Sequence, residues 1–219
     1  MFVGHYAPVF ALRAVRQSPG LAAGFVAVQL VDIGFMSLSY FGVEKWAANP
    51  SIKGFMPIDL YFMPYTHSLV GSALWAIGAG LIFALFAKEG RRLFDGALIG
   101  LLVFSHWLLD LVVHRHDLAL GLDDAGNKLG FSLWDQPLVV IPLELGMMLG
   151  ALAIYVSATK PNGVAGRIMP WLVGGILVAV SCVNWFTPPP ADIATFSGMG
   201  LAGYLGLAGL ALLLDRTRA

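Results

Sequence analysis

Cysteine and charge are both scarce in this chain. Its 219 residues include one cysteine, Cys182, which excludes an intramolecular disulfide and a cysteine-based zinc site. That residue lies in an apolar run, so it is expected to be a buried, inert thiol. Charged residues amount to 12%, about half the usual share of a soluble domain. Lysine plus arginine and aspartate plus glutamate number 13 each, so the formal net charge is zero. That balance offers no basic patch for nucleic acid. Neither a second soluble domain nor a low-complexity tail is evident. Arg13 and Arg16 follow the first short apolar stretch instead of preceding it, the reverse of a cleavable signal peptide.

What remains is apolar. Hydrophobic residues make up 58% and the mean hydropathy is +0.78, the composition of a polytopic membrane protein whose partner is the lipid bilayer. The fold class is all-α, a membrane helix bundle forming a single integral membrane domain over 1–219. Residues 1–17 are too short to span and predict a half-helix, closed by Ser18-Pro19-Gly20. Six spanning helices are expected at about 20–43, 66–88, 95–115, 135–158, 167–187 and 195–214. Arg13, Arg16, Lys88, Arg91, Arg92, Lys160, Arg167, Arg216 and Arg218 then fall on one side, and Lys45, Lys53, Arg115 and Lys128 on the other. Nine against four places both termini in the cytoplasm, and the charge bias suits a bacterial inner membrane. The opposite side carries two long loops, roughly 44–65 and 116–134, expected to act as lids. They hold Glu44, Trp46, Phe55, Asp59, Tyr61, Phe62, Tyr65, Asp117, Asp123 and Asp124. Gly200, Gly203, Gly206 and Gly209 repeat along the last helix, where small residues let helices approach. The half over about 1–150 holds the polar site, and the helices over about 160–215 are expected to be scaffold.

The polar site centres on Ser105 to Asp117, S-H-W-L-L-D-L-V-V-H-R-H-D. His106, Asp110 and His114 recur every four residues and form one stripe on an otherwise apolar helix. An ionisable group at membrane depth costs ~2.5–3.5 kcal/mol on insertion scales and marks a functional site. A shared divalent metal ion explains three on one face, since imidazole and carboxylate are its ligands. Depth counted along the helices puts His5, Asp32, His106, Asp110 and Glu144 in one layer about 16–22 Å from the cytoplasmic ends. His67 and His114 come out nearer the outer surface, at about 30 Å. His5, Asp32, His67, His106 and Asp110 are the candidate metal ligands. Glu144 and Asp32 are the candidate general bases. His114, Arg115 and His116 are candidates for binding an anionic substrate at the outer mouth.

The series His5, Asp32, Thr66-His67-Ser68 and Ser105-His106 with Asp110 resembles the YdjM-like family of bacterial inner-membrane proteins, described as membrane-bound metal-dependent hydrolases. That family is in turn distantly similar to zinc-dependent phospholipases C and related nucleases. The resemblance covers about residues 1–115. It implies metal ligands at His5, Asp32, His67, His106 and Asp110. Family members often carry Asp-x-Asp where this chain has Asp32-Ile33-Gly34, and Glu144 or His114 is the candidate replacement for the second acid.

The leading expectation is a membrane-embedded hydrolase using a divalent ion, zinc first and manganese second, on a phosphoester or lipid substrate reached from the outer face. An ion- or proton-coupled transporter built on the same residues is the first alternative. A non-enzymatic protein with a structural metal is the second.

Overall fold

The computed structural model describes residues 2–52, 56–123 and 126–219. Lys53, Phe55 and Asp124, three of the loop residues named above, lie outside the described residues. The chain opens with a 3-10 turn, Val3–Tyr6, that runs into α1, Ala7–Val15. Pro8 near the start of α1 suits this junction, because its missing N–H is an orphan there anyway. These two pieces are the half-helix expected over 1–17.

The first expected span is present but broken. It comprises α2, Leu21–Val28, and α3, Leu30–Tyr40, bent by 52° at Gln29. The break frees the carbonyl of Val28 from the helical ladder, and a buried side chain must then satisfy it. Next come two short antiparallel strands, β1, Lys45–Ala48, and β2, Ile58–Phe62. Ile58 and Leu60 face inward while Asp59 and Tyr61 face out, the period of two that a half-buried strand requires. This hairpin was not foreseen. Trp46 from β1 packs its ring 4.2 Å from Phe196.

Five unbroken helices follow: α4, Leu69–Phe86; α5, Arg92–Val113; α6, Pro137–Ala158; α7, Gly163–Phe186; and α8, Ile193–Asp215. All five are long and apolar enough to cross a membrane, and the bent pair, taken as one span, brings the number to six. Leu85, Phe86, Leu93 and Leu138 are exposed on the outward faces, as in a membrane-embedded helix bundle. Cys182 is exposed on α7. The expected buried thiol is therefore corrected: an apolar run in such a bundle can face outward.

Helix pairing follows the small residues, though not the glycines singled out in the sequence. α4 and α5 form a tight hairpin. A Cβ on Gly80 would lie 2.7 Å from the Gly96 carbonyl oxygen, and one on Gly96 would lie 2.6 Å from that of Gly80. By contrast, a Cβ on Gly203, Gly206 or Gly209 would meet nothing within 4 Å. α1 packs on α6, and α2 and α3 pack on α8. At the end where α1 stops and α8 ends, Arg13 donates two hydrogen bonds to Asp215, at 3.0 and 2.7 Å. At the opposite end the β-hairpin and the 114–136 loop close over the bundle. There Leu69 and Val70 N–H donate to the carbonyls of Ala119 and Leu120, and Ser68 accepts from Gly71 N–H at 2.8 Å. These bonds satisfy the orphan donors of α4.

Candidate metal centre

Six side chains converge at the loop end of the bundle, inside the ring of helices. His106 and Asp110 come from the last turns of α5, and His114 stands just past its end. At about 1.5 Å per residue these three span only about 12 Å, so the middle carboxylate reaches both imidazoles. Asp110 Oδ2 lies 3.0 Å from His106 Nε2 and 3.6 Å from His114 Nε2. Asp32 stands in the first turn of α3, aimed inward by the bend at Gln29. Its Oδ1 is 3.3 Å from His67 Nε2 and 3.6 Å from His106 Nε2. His67 precedes α4, in the stretch capped by Ser68, and its Nε2 is also 3.7 Å from Asp110 Oδ2. The N-terminal turn supplies His5, whose Nε2 meets Asp110 Oδ1 at 3.1 Å and whose ring stacks on that of His106 at 3.8 Å.

The outer nitrogens of three histidines are fixed from behind. His106 Nδ1 donates to the Val28 carbonyl at 2.6 Å, the group freed by the helix break. His67 Nδ1 meets Thr66 Oγ1 at 2.8 Å, and that hydroxyl donates to Glu44 at 2.6 Å. His114 Nδ1 meets Asp117 at 2.9 Å. A ring whose Nδ1–H is committed outward presents an Nε2 lone pair inward, which is the usual support of a metal-bound histidine. The Nε2 of His106 is buried and lacks a well-directed hydrogen bond, despite lying 3.0 Å from a carboxylate. Atoms that are close but not aligned for hydrogen bonding suit ligands aimed at a common point. Three overlapping triads meet that condition, each with ligand atoms within 4.8 Å of one another: His5, His106 and Asp110; Asp32, His67 and His106; His67, Asp110 and His114. These buried groups could hold a metal ion.

All five expected ligands are brought together here, and His114 joins them. Counting depth along straight helices set His67 and His114 in a layer further out, and the structure corrects this. The cluster lies at the loop end of α5, level with the start of α4, and the bend brings Asp32 to the same height. His114 is therefore buried in the cluster and is not at an outer mouth. Arg115 donates to Asp135 at 2.9 Å, and His116 is exposed; neither belongs to the cluster. Glu144, expected as a base, is buried on α6, and its Oε2 accepts from Phe2 N–H at 2.9 Å and Gly4 N–H at 3.3 Å. It thereby holds the turn that carries His5.

Several contributors were missed. Tyr204 of α8 donates to Asp32 Oδ2 at 2.8 Å, so α8 is more than scaffold. A lone tyrosine in an apolar span was the available signal. Glu44, read as a loop charge, is buried. Burial pushes its carboxyl up from the ordinary range, while hydrogen bonds from Thr66 and Tyr65 oppose that rise. Asp117, three residues after His114, carried its role in that spacing.

A cavity of about 480 Å³ opens beside the cluster. Asp32, His67, Asp110, His114 and Glu144 form part of its wall, and most of the remainder is apolar, with methionine, phenylalanine, tryptophan, proline and aliphatic side chains.

Comparison with protein-family models, curated proteins and solved structures found no match.

Proposed function

We propose that this chain is a metal-dependent hydrolase of the YdjM-like type, embedded in a bacterial inner membrane with both termini cytoplasmic. The observation that carries the proposal is the inward convergence of three back-anchored histidines on Asp32 and Asp110. Two carboxylates and several imidazole nitrogens within reach of one another offer a divalent cation both opposite charge and donor atoms. A donor set of nitrogen and carboxylate oxygen suits zinc first and manganese second. A divalent ion bound there supplies Lewis acidity and makes a water nucleophilic near neutral pH.

The chain's own groups do the rest. His106, His67 and His114, each anchored through its outer nitrogen, would hold the ion. Asp110 links all four histidines. Asp32, which borders the cavity, would serve as the general base, with Tyr204 holding its second oxygen. Glu144 positions His5 by gripping the backbone of Phe2 and Gly4, which replaces the base role expected of it. The bond cleaved is an ester or phosphoester of a substrate that enters the cavity beside the cluster.

The test is metal content with turnover. The whole chain, purified in mild detergent without chelator, should carry near-stoichiometric transition metal by plasma mass spectrometry. His106→Ala and Asp110→Ala should lose both metal and ester hydrolysis while keeping their helical content. Absence of metal in the wild type after zinc or manganese is supplied sinks the proposal. Ion flux in proteoliposomes would then favour a transporter, and metal without hydrolysis would favour a structural ion.

A further inference from the structure

The cavity beside the cluster has a composition and an opening that the metal centre alone does not require. Its charged groups lie at the cluster, and away from it the wall is mainly apolar, with Met36 from α3, Ile58 and Leu60 from β2, Val180 and Val183 from α7, and Phe196 from α8, interrupted by Asn184 and Thr187 near the end of α7. Its volume is in the range of about 300–1,000 Å³ that small-molecule sites occupy. The mouth lies between α7 and α8, where the lining residues Val183, Met199 and Gly203 are exposed. Both helices are long enough and apolar enough to span, so this part of the mouth faces the side of the bundle, while Asn184, Thr187 and Pro188 line its other end at the connection between the two helices. Gly203 keeps it wide: a Cβ there would meet no atom within 4 Å. Gly200 allows the Met36 side chain to line the wall, since a Cβ there would lie 3.1 Å from Met36 Sδ.

We infer that this cavity is a side-entered binding site for the hydrocarbon chain of an amphiphile, whose polar ester head then rests against the His/Asp cluster. The inference deepens the hydrolase reading and rests on it for the fate of the head, but not for the seat of the chain. An apolar chain gains by leaving water or by exchanging into a matched apolar cleft. A free water-soluble ester would gain nothing from a lining of this kind. Only the end of the cavity at the cluster offers charged groups, which fixes the direction in which an amphiphile lies. Gly203 on α8 and Val180 on α7, both of which line the cavity, are the residues that set the chain's admission.

The test uses the full chain in nanodiscs with a lysophosphatidylcholine that carries a photoactivatable diazirine in its stearoyl chain. Adducts are mapped by peptide sequencing. Attachment to Met36 and Phe196 inside the cavity is expected, besides attachment to exposed Leu172 and Leu205, which report ordinary bilayer contact. Gly203→Leu and Val180→Trp should each cut the inner adducts at least ten-fold, with outer adducts and metal content unchanged. Inner adducts absent from the wild type overturn the inference. So do inner adducts undiminished in both variants. Should either variant fold poorly, the wild-type map alone decides. A chain that takes inner adducts but carries no metal refutes the hydrolase and leaves the amphiphile site standing.

Discussion

Two sets of buried polar groups sit at opposite ends of this apolar bundle, and they are finished differently. At the end where the chain terminates, Arg13 and Asp215 form a two-bond pair, and the second Asp215 oxygen accepts from Leu21 N–H. Arg218 donates to the carbonyls of Gly166, Val156 and Thr159 and to the Thr159 hydroxyl. Each of these contacts joins an N–H to an acceptor, although the Tyr155 hydroxyl, on the ring that Arg218 overlies, is buried without an aligned partner. At the loop end, four histidines and two aspartates crowd together, two imidazole rings stack face to face, and His5 Nδ1 and His106 Nε2 are buried without aligned partners. A group retained for stability finds its complement within the chain. A cluster whose buried nitrogens lack aligned partners could hold a metal ion.

The largest effect should come from the substitution that separates these two roles most sharply. Asp110→Asn keeps the volume and removes the charge that links four histidines. Metal content should fall to background and hydrolysis with it. At the other end, Asp215→Asn should keep metal and activity but cost about 3 kcal/mol, the scale for breaking a buried ion pair from one side. Thermal melting of the metal-free proteins, measured side by side, checks the contrast. The melting temperature of Asp110→Asn should fall less than that of Asp215→Asn. The reverse order would make the cluster a structural network.

A second contrast lies behind the ligands. Thr66→Val leaves every metal ligand in place but cuts the link from Glu44 to His67 Nδ1. Metal affinity should fall ~10–100-fold, the usual cost of removing such a support, as read by competition with a fluorescent chelator. Thr66→Ser should restore it. An unchanged affinity would mean that packing alone orients the His67 ring.

The sequence displayed the ligands better than their supports. His106 and Asp110 were legible because charge in an apolar helix is rare and the spacing of four is geometric. The six spans were legible for the same reason, since length and hydropathy are local properties. The bend at Gln29, the β-hairpin and the depth of His67 were not. Each depends on what a backbone group finds as a partner elsewhere in the fold, as Val28 finds His106. Tyr204 was hidden by its helix, because an apolar span with one tyrosine reads as packing until the facing residue is known. The glycine stripe misled in the opposite sense. The close approach belongs to Gly80 and Gly96, which form no long regular row in their helices, and Gly203, Gly206 and Gly209 on α8 face open space.

The smallest expected effect concerns Tyr204, and it probes how far the proposed metal centre extends into the helices first read as scaffold. Its hydroxyl donates to Asp32 Oδ2, the oxygen turned away from His67 and His106. Removing that donor in Tyr204→Phe deletes one hydrogen bond to a charged group, worth about 1.5–3 kcal/mol where the acceptor cannot be rehydrated. Here the acceptor borders the cavity and Asp32 is not fully buried, so water can take the place of the phenol. A loss of roughly five-fold in turnover follows, near 1 kcal/mol, with metal content unchanged. The reason for a loss at all is orientational: without the phenol, the Asp32 carboxylate can rotate, and the oxygen that takes the water proton is no longer held at one position. A drop in turnover without a change in metal places Asp32 in the chemistry as well as among the ligands. Metal loss in Tyr204→Phe would instead make Asp32 a ligand only, and the general base would have to be sought elsewhere in the cluster.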